Sequence, residues 1–307
     1  MVFPLFALRN LIHALRLLVY RMVKRARRLL TGHSQIARIC GARSSAHGLI
    51  PHTPDMSSAL WAEWRSSKAL HSLFLSLRDA NFDVHHVVAR LCAEKRIAPH
   101  SGAAANLKMC VLHFKGVSEI VREVKRLVGA PFDAADARHE AMLEELWDEL
   151  LPSVKRVGGR YSKDWGKIGF QQSDPASDFR GAGILALHQL RYMARTRQHV
   201  ARRMISQPAD EGRRYPWACV GINITVEAVK IVEARRIDRM LYGKGVEEGI
   251  ELVHQLFCDM FEILHARWIE EGASNLLAFP KVWKLYLNDI DEQIGRTGGL
   301  VPPGTSA

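Results

Sequence analysis

Residues 165–186 read WGKIGFQQSDPASDFRGAGILA, and two folds compete for them. Gly181-Ala182-Gly183-Ile184-Leu185-Ala186 fits the G-x-G-x-x-A dinucleotide fingerprint, which belongs to an α/β sheet. That fingerprint needs a buried strand running into its first glycine, inside a βαβ unit. Here the first glycine comes after Asp174-Pro175-Ala176-Ser177-Asp178-Phe179-Arg180, a polar turn without strand alternation. The other reading is a turn that opens a helix in a helical protein and places one arginine, Arg180.

The flanking sequence decides for the second. Apolar residues recur at helical spacing in almost every segment. Helices are predicted over 58–78, 84–95, 103–114, 117–128 (between Gly116 and Gly129), 138–151 (ending at Pro152), 184–195, 197–206, 246–271 and 279–294. Residues 218–225, CVGINITV, are β-like in composition, but they lead without a turn into EAVKIVEARR, so 218–234 is read as helix. No repeat and no parallel-strand pattern occurs, and the class is all-α. The sequence divides into an amphipathic arm (1–31), a Ser/Gly/Pro-rich linker (32–56), a helical N-terminal region packing on the core (57–132), a single irregular multi-helix domain core (133–296) and a Gly/Pro-rich disordered tail (297–307).

Charge is unevenly placed. Of 307 residues, 43 are Lys or Arg and 32 are Asp or Glu, for a net charge of +11. Residues 1–54 hold nine of the basic residues and no acid; beyond them, 34 basic residues face all 32 acidic ones. A near-neutral body with a basic arm is a poor nucleic-acid binder, which needs cations and aromatics interleaved over the fold. Five cysteines, odd in number and widely spaced, point to free thiols and a reducing compartment.

The arm is an amphipathic helix. At about 100° per residue, Leu8, Leu11, Ile12, Leu15, Leu18, Val19, Met22, Ala26 and Leu29 share one face, with Arg9, Arg16, Arg21, Lys24, Arg25, Arg27 and Arg28 opposite. The arginines interrupt any run long enough to span a bilayer. Three readings stay open: a helix in a membrane interface with its cations on anionic head groups, a mitochondrial presequence, or a helix docked on its own domain.

Catalytic chemistry is sparse. No P-loop, nucleophile elbow or zinc spacing is present. His254 and Cys258 share a helix face, but two possible ligands do not make a metal site. The opening stretch is the best candidate. Asp174-Pro175 starts a turn, Asp178 is placed to cap the next helix, and Arg180 then falls in that helix's first turn, where the dipole disfavours a cation. Ion pairing to Asp174 or Asp178 would offset this, and Gly181 and Gly183 would clear bulk or admit another backbone. The plain alternative is a capped turn with a surface ion pair.

Trp165, Ile168, Gly169, Phe170, Gln171, Asp174, Pro175, Asp178, Phe179, Arg180, Gly181 and Gly183 match W-x-x-I-G-F-Q-x-x-D-P-x-x-D-F-R-G-x-G. This resembles the signature of the ELMO-domain (engulfment and cell motility) family, in particular its short ELMO-domain-containing members. TGHSQIARIC (31–40), HEAMLEELW (139–147), VGINIT (220–225) and FCDMFEILHARWIEE (257–271) resemble further family segments. Gln172, Ala182 and Ala186 depart from the pattern, standing where glycine, methionine and glycine are usual.

The resemblance implies a helical ELMO domain over 133–296 that activates GTP hydrolysis by an ARF-family or ARF-like small GTPase. Arg180 would be the arginine finger. Trp165, Gly169, Phe170, Gln171, Asp174, Asp178, Phe179, Gly181 and Gly183 would position the loop or contact the GTPase. No cofactor of its own is implied, since the partner carries GTP and magnesium; the chain is then a regulator and not an NTPase. The free thiols and the arm set the expected location: cytoplasmic, peripheral on an intracellular membrane or associated with mitochondria. The alternative is a non-catalytic scaffold in small-GTPase signalling.

Overall fold

In the computed structural model the described residues are 15, 18–20, 22–41, 54–65, 73, 75, 77, 81–206 and 215–302. They are helical, with no strand among them. The dinucleotide reading of Gly181–Ala186 has no sheet to stand on. The chain forms two compact units, Met1–Ser118 and Glu119–Ala307.

In the first unit, residues 22–31 are helical and lead to α1 (Gln35–Cys40), capped by the Ser34 hydroxyl accepting from the Ala37 N–H. Next come α2 (Pro54–Arg65), α3 (Val84–Lys95) and the start of α4 (Gly102–Gly129). Asp83 caps α3, accepting from the His85 N–H. Ile36, Cys40, Met56, Leu60, Trp64, Leu91, Leu107, Cys110 and Phe114 form the core. Trp61 and Trp64 set their rings against Phe114 at 5.0 and 6.1 Å. Two buried polar side chains find backbone acceptors: the Asn106 amide donates to the Cys40 carbonyl at 2.8 Å, and the Ser118 hydroxyl to the Leu77 carbonyl at 2.7 Å.

Three boundaries differ from the sequence reading. Residues 32–56 are not all linker. A Ser34 cap and apolar residues at 36, 39 and 40 build α1, and 54–56 open α2. Residues 42–53 lie outside the described residues. Gly116 does not divide a helix: α4 runs unbroken through it. A glycine costs a helix about 1 kcal/mol, whereas burying a side chain such as Phe114, Val117 or Ile120 gains about 1.5–3 kcal/mol. The units therefore meet inside α4, at 118/119 and not at 132/133. Of predicted helix 58–78, α2 ends at Arg65 and residues 73 and 75 are helical; most of 66–78 lies outside the described residues.

In the second unit the rest of α4 leads to α5 (Ala137–Leu150), α6 (Gly183–Thr196), α7 (Gln198–Ile205), α8 (Trp217–Glu233), α9 (Val246–Glu270) and α10 (Phe279–Thr297). CVGINITV lies within helix α8. The last helix reaches Thr297, three residues beyond its predicted end and into the predicted tail, whose residues 303–307 lie outside the described ones. Helix α6 buries Ile184, Leu185, Ala186, Leu187, Leu190, Met193 and Ala194, and α5, α7, α8 and α9 all pack on it. Arg197, at its end, pairs with Asp259 at 2.6 Å and with Glu262 on α9.

The start of α6 is seated on the end of α4. Gly183 has φ +58°, and a Cβ there would lie 2.2 Å from the Val128 carbonyl oxygen and 2.7 Å from that of Leu127. The next N–H, of Ile184, donates to the Ala130 carbonyl at 2.8 Å. Unpaired donors of one helix start thus meet unpaired carbonyls of another helix end. Both the close approach and the positive φ demand glycine. Gly183→Ala is expected to lower stability by about 3 kcal/mol, or a melting temperature by roughly 5–10 °C. Gly181→Ala, whose added Cβ meets nothing within 4 Å, is expected to shift it by little. Thermal unfolding tracked by circular dichroism checks both.

Candidate arginine site

The signature folds as two 3-10 turns. The first, Lys163–Ile168, is capped by Ser162 and buries Trp165 and Ile168. The Trp165 indole N–H donates to the Arg160 carbonyl at 2.7 Å. The turn ends on Gly169 at φ +93°, where a Cβ would lie 2.2 Å from the Trp217 nitrogen. That approach lets the Gly169 carbonyl accept from the Cys219 N–H at 3.2 Å, satisfying a donor in the first turn of α8, which has no side-chain cap.

The second turn, Pro175–Gly181, carries the arginine. Asp174 caps it, accepting from the Ala176 N–H at 3.1 Å, with Pro175 in the first turn. Phe179 is 1% exposed, between Phe132 (ring centroids 6.2 Å) and Phe170 (5.6 Å). Phe170 continues the row edge-on to Trp165 at 5.8 Å, and Trp165 to Trp147 at 5.5 Å.

Arg180, next in the chain after Phe179, is exposed. Its Nε donates to the Ser177 carbonyl at 2.9 Å. Among the described residues it forms no ion pair, and its two terminal nitrogens have no partner. This corrects the sequence reading in three ways. Arg180 lies in the last turn of a 3-10 segment, at the carbonyl end, where a cation is favoured. Neither aspartate pairs with it: Asp174 faces Arg160, and Asp178 accepts from the Gln171 N–H at 2.8 Å. Asp178 is not a helix cap; α6 has no side-chain cap.

The other predicted residues divide. Trp165, Gly169, Phe170, Phe179 and Gly183 are buried. Gln171 and Gly181 are exposed beside Arg180, with Asp174 and Asp178 half-buried. Gly183 clears space at α4, and not beside the arginine.

Two arginines in the preceding loop were missed. The Arg156 side chain is covered, its guanidinium 4.1 Å from the Trp165 ring centroid and 5.7 Å from that of Trp147, with an ion pair to Glu144. Arg160 pairs with Glu140 at 2.8 Å and Asp174 at 3.4 Å. The Glu140 bond holds Arg160 still more firmly charged. Only their density beside Trp165 in KRVGGRYSKDW marks them in sequence. Cys219 lies 3.9 Å from Asp178, and burial together with that carboxylate pushes its thiol up to about 11. It is no nucleophile at neutral pH.

A cleft of about 270 Å³ touches this loop, lined by residues that include Lys167, Gly169, Phe170, Tyr215, Trp217 and Leu276; Arg180 does not line it. No group of three metal-binding side chains occurs among the described residues. Elsewhere, in the first unit, Leu15, Leu18, Val19 and Met22 of the arm are exposed, as are Arg25, Arg27 and Arg28. Lys24 instead pairs with Glu63, to which Tyr20 donates at 2.7 Å. Leu8, Leu11 and Ile12 lie outside the described residues.

The ELMO/CED-12 family model matches residues 122–283. ELMO domain-containing protein 2 of Mus musculus is 30% identical over 271 residues, covering 87% of each chain. ELMO domain-containing protein 1 of Mus musculus is 27% identical over 297 residues, covering 90% of this chain and 88% of its own. ELMO domain-containing protein B of Dictyostelium discoideum is 30% identical over 235 residues, covering 74% of this chain and 78% of its own. No solved structure matches.

The support and the arginine should separate in stability measurements. Asp178→Ala removes the acceptor of the Gln171 N–H and is expected to cost about 1–2 kcal/mol. Arg180→Ala loses one exposed bond and is expected to stay within about 0.5 kcal/mol of wild type. Denaturant unfolding of both variants is the check.

Proposed function

The chain belongs to the ELMO/CED-12 family, and from that membership we propose that it is a GTPase-activating protein for ARF-family or ARF-like small GTPases, with Arg180 as the arginine finger. One observation carries this reading: Arg180 is exposed, fixed at its Nε and left with both terminal nitrogens free among the described residues. Phosphoryl transfer asks a protein for positioning and charge, with little covalent chemistry. A guanidinium entering a partner's site stabilises charge growing on the β/γ-phosphate oxygens, worth roughly 10³–10⁵ in rate. The partner supplies GTP and magnesium; this chain supplies the cation. Its planar fork sets it apart from lysine. A scaffold needs no such arginine.

Single-turnover GTP hydrolysis by a panel of ARF-family and ARF-like GTPases tests this. Wild type is expected to accelerate at least one member, with Arg180→Ala and Arg180→Lys each losing roughly 100-fold or more of the stimulation. Equal stimulation by wild type and Arg180→Ala removes the arginine from the mechanism. Binding without any stimulation favours the scaffold.

The exposed face of the arm favours a second role. Leu29 and Leu30 are 87% and 86% exposed, and with Leu15, Leu18, Val19 and Met22 they leave an apolar face uncovered while Tyr20 and Lys24 hold Glu63. This supports an interfacial helix whose Arg25, Arg27 and Arg28 meet anionic head groups, holding the protein peripherally on the cytoplasmic side of an intracellular membrane. Co-sedimentation with phosphatidylserine-containing vesicles should weaken roughly 10-fold or more on deleting residues 1–31. Unchanged partitioning would remove the arm from membrane binding.

A further inference from the structure

Val157 and Tyr161 are large apolar side chains left 75% and 66% exposed in the loop ahead of the signature. Scattered exposed apolar residues are ordinary, but these two are held in place. Gly158 and Gly159 turn the chain between them at φ +95° and +59°, conformations that glycine adopts at no steric cost. The Val157 N–H donates to Asp164 Oδ2 at 3.2 Å. The Tyr161 ring lies 4.5 Å from the Arg160 guanidinium, which is itself fixed by Glu140 and Asp174. Arg156, stacked on Trp165, fixes the residue before Val157. Paired and stacked arginines thus fix the loop that leaves these two apolar side chains in water.

The same loop is joined to the turn that bears Arg180. The Ser162 N–H donates to the Ser173 carbonyl at 2.9 Å, and Arg160 reaches Asp174, the cap of that turn. A 3-10 segment rises about 2 Å per residue, so Pro175–Gly181 spans about 14 Å. A standard interface of about 800 Å² per partner is about 30 Å across. An interface of that size centred near Arg180 has the reach to extend onto the loop bonded to its turn.

Charge points to the same occupant. Glu140, Glu144, Asp164 and Asp174 are each paired with a cation. Lys155, Lys163 and Arg180 are exposed and have no ion-pair partner among the described residues. The loop thus presents two exposed apolar side chains, with one exposed lysine two residues before the first and another two residues after the second.

We propose that Val157 and Tyr161 form the hydrophobic docking contact for the GTP-bound small GTPase that receives Arg180, with Lys155 and Lys163 facing acidic groups on that partner. This rests on the GTPase-activating reading above. Aromatic and apolar anchors ringed by polar groups carry most of the affinity of such interfaces, and rim charges mainly set approach and selectivity.

The test titrates the full chain against the GTPase found in the panel, under single-turnover conditions. Val157→Ser/Tyr161→Ser is expected to raise the half-saturating concentration roughly 10-fold or more with the saturated rate kept, and to melt as wild type does. Arg180→Ala is expected to do the reverse. Lys155→Glu/Lys163→Glu should weaken half-saturation most at low salt. An unchanged half-saturation in the apolar double variant overturns the docking contact, as does a lowered saturated rate alone, which would mean the loop only positions Arg180. A wild-type dimer abolished by the double variant, with GTPase half-saturation unchanged, gives the patch to a second copy and also overturns it. Wild type that stimulates no GTPase sinks the activating function itself, and the docking contact with it.

Discussion

The burial of Phe179 is the constraint on which the candidate site depends. A 3-10 turn has three residues per revolution, so side chains one apart diverge by about 120°. With Phe179 locked between Phe132 and Phe170, the next residue is directed away from the core. Removing such a ring costs about 3–5 kcal/mol, far more than any solvent contact of Arg180 could gain by rotating the turn. The arginine is exposed because its neighbour cannot be. The row continues through Phe170 and Trp165 to Trp147, tying the turn to α5.

Three arginines stand close in sequence and serve opposite ends. Arg156 and Arg160 are covered, and each is paired with acids and stacked on an aromatic ring. Burying a guanidinium is costly unless it is paired, and these two are. Their carboxylates come from α5 and from the cap of the Arg180 turn, so pairing them also fixes the loop. Arg180 has the opposite treatment: one bond to a backbone carbonyl and no carboxylate among the described residues. A partner anion meets a cation that it need not first separate from a counterion.

The fold was legible because it rests on local rules. A 3.6-residue apolar period and Pro152 after a helix are visible without tertiary context, whereas Ser34, read as linker, caps α1. CVGINITV was legible through the residues after it, since continuous helical spacing outweighs β-branched composition. The errors came where tertiary contact overrides a local sign. Gly116 resembles a break, yet buried neighbours carry α4 through it. Asp178 resembles a cap, yet its carboxylate serves Gln171, seven residues back across a loop with no period to reveal it. The pairing of Arg160 with Asp174 is hidden for the same reason. Arg180 itself was found by its company, and its freedom from ion pairs emerged only in three dimensions.

The two glycines after Arg180 show how one pattern arises from different physics. In a dinucleotide fold such glycines let a helix start approach a pyrophosphate. Here the approach is to carbonyls: Gly183 brings the first turn of α6 onto Val128 and Ala130 at the end of α4. The helix start that would hold an anion in a dinucleotide fold is already occupied by protein. The Ile184 N–H, one of the donors such a phosphate would use, is already given to the Ala130 carbonyl. The cation of this stretch is instead the Arg180 side chain, which the turn leaves on the outer surface with a single bond to a backbone carbonyl.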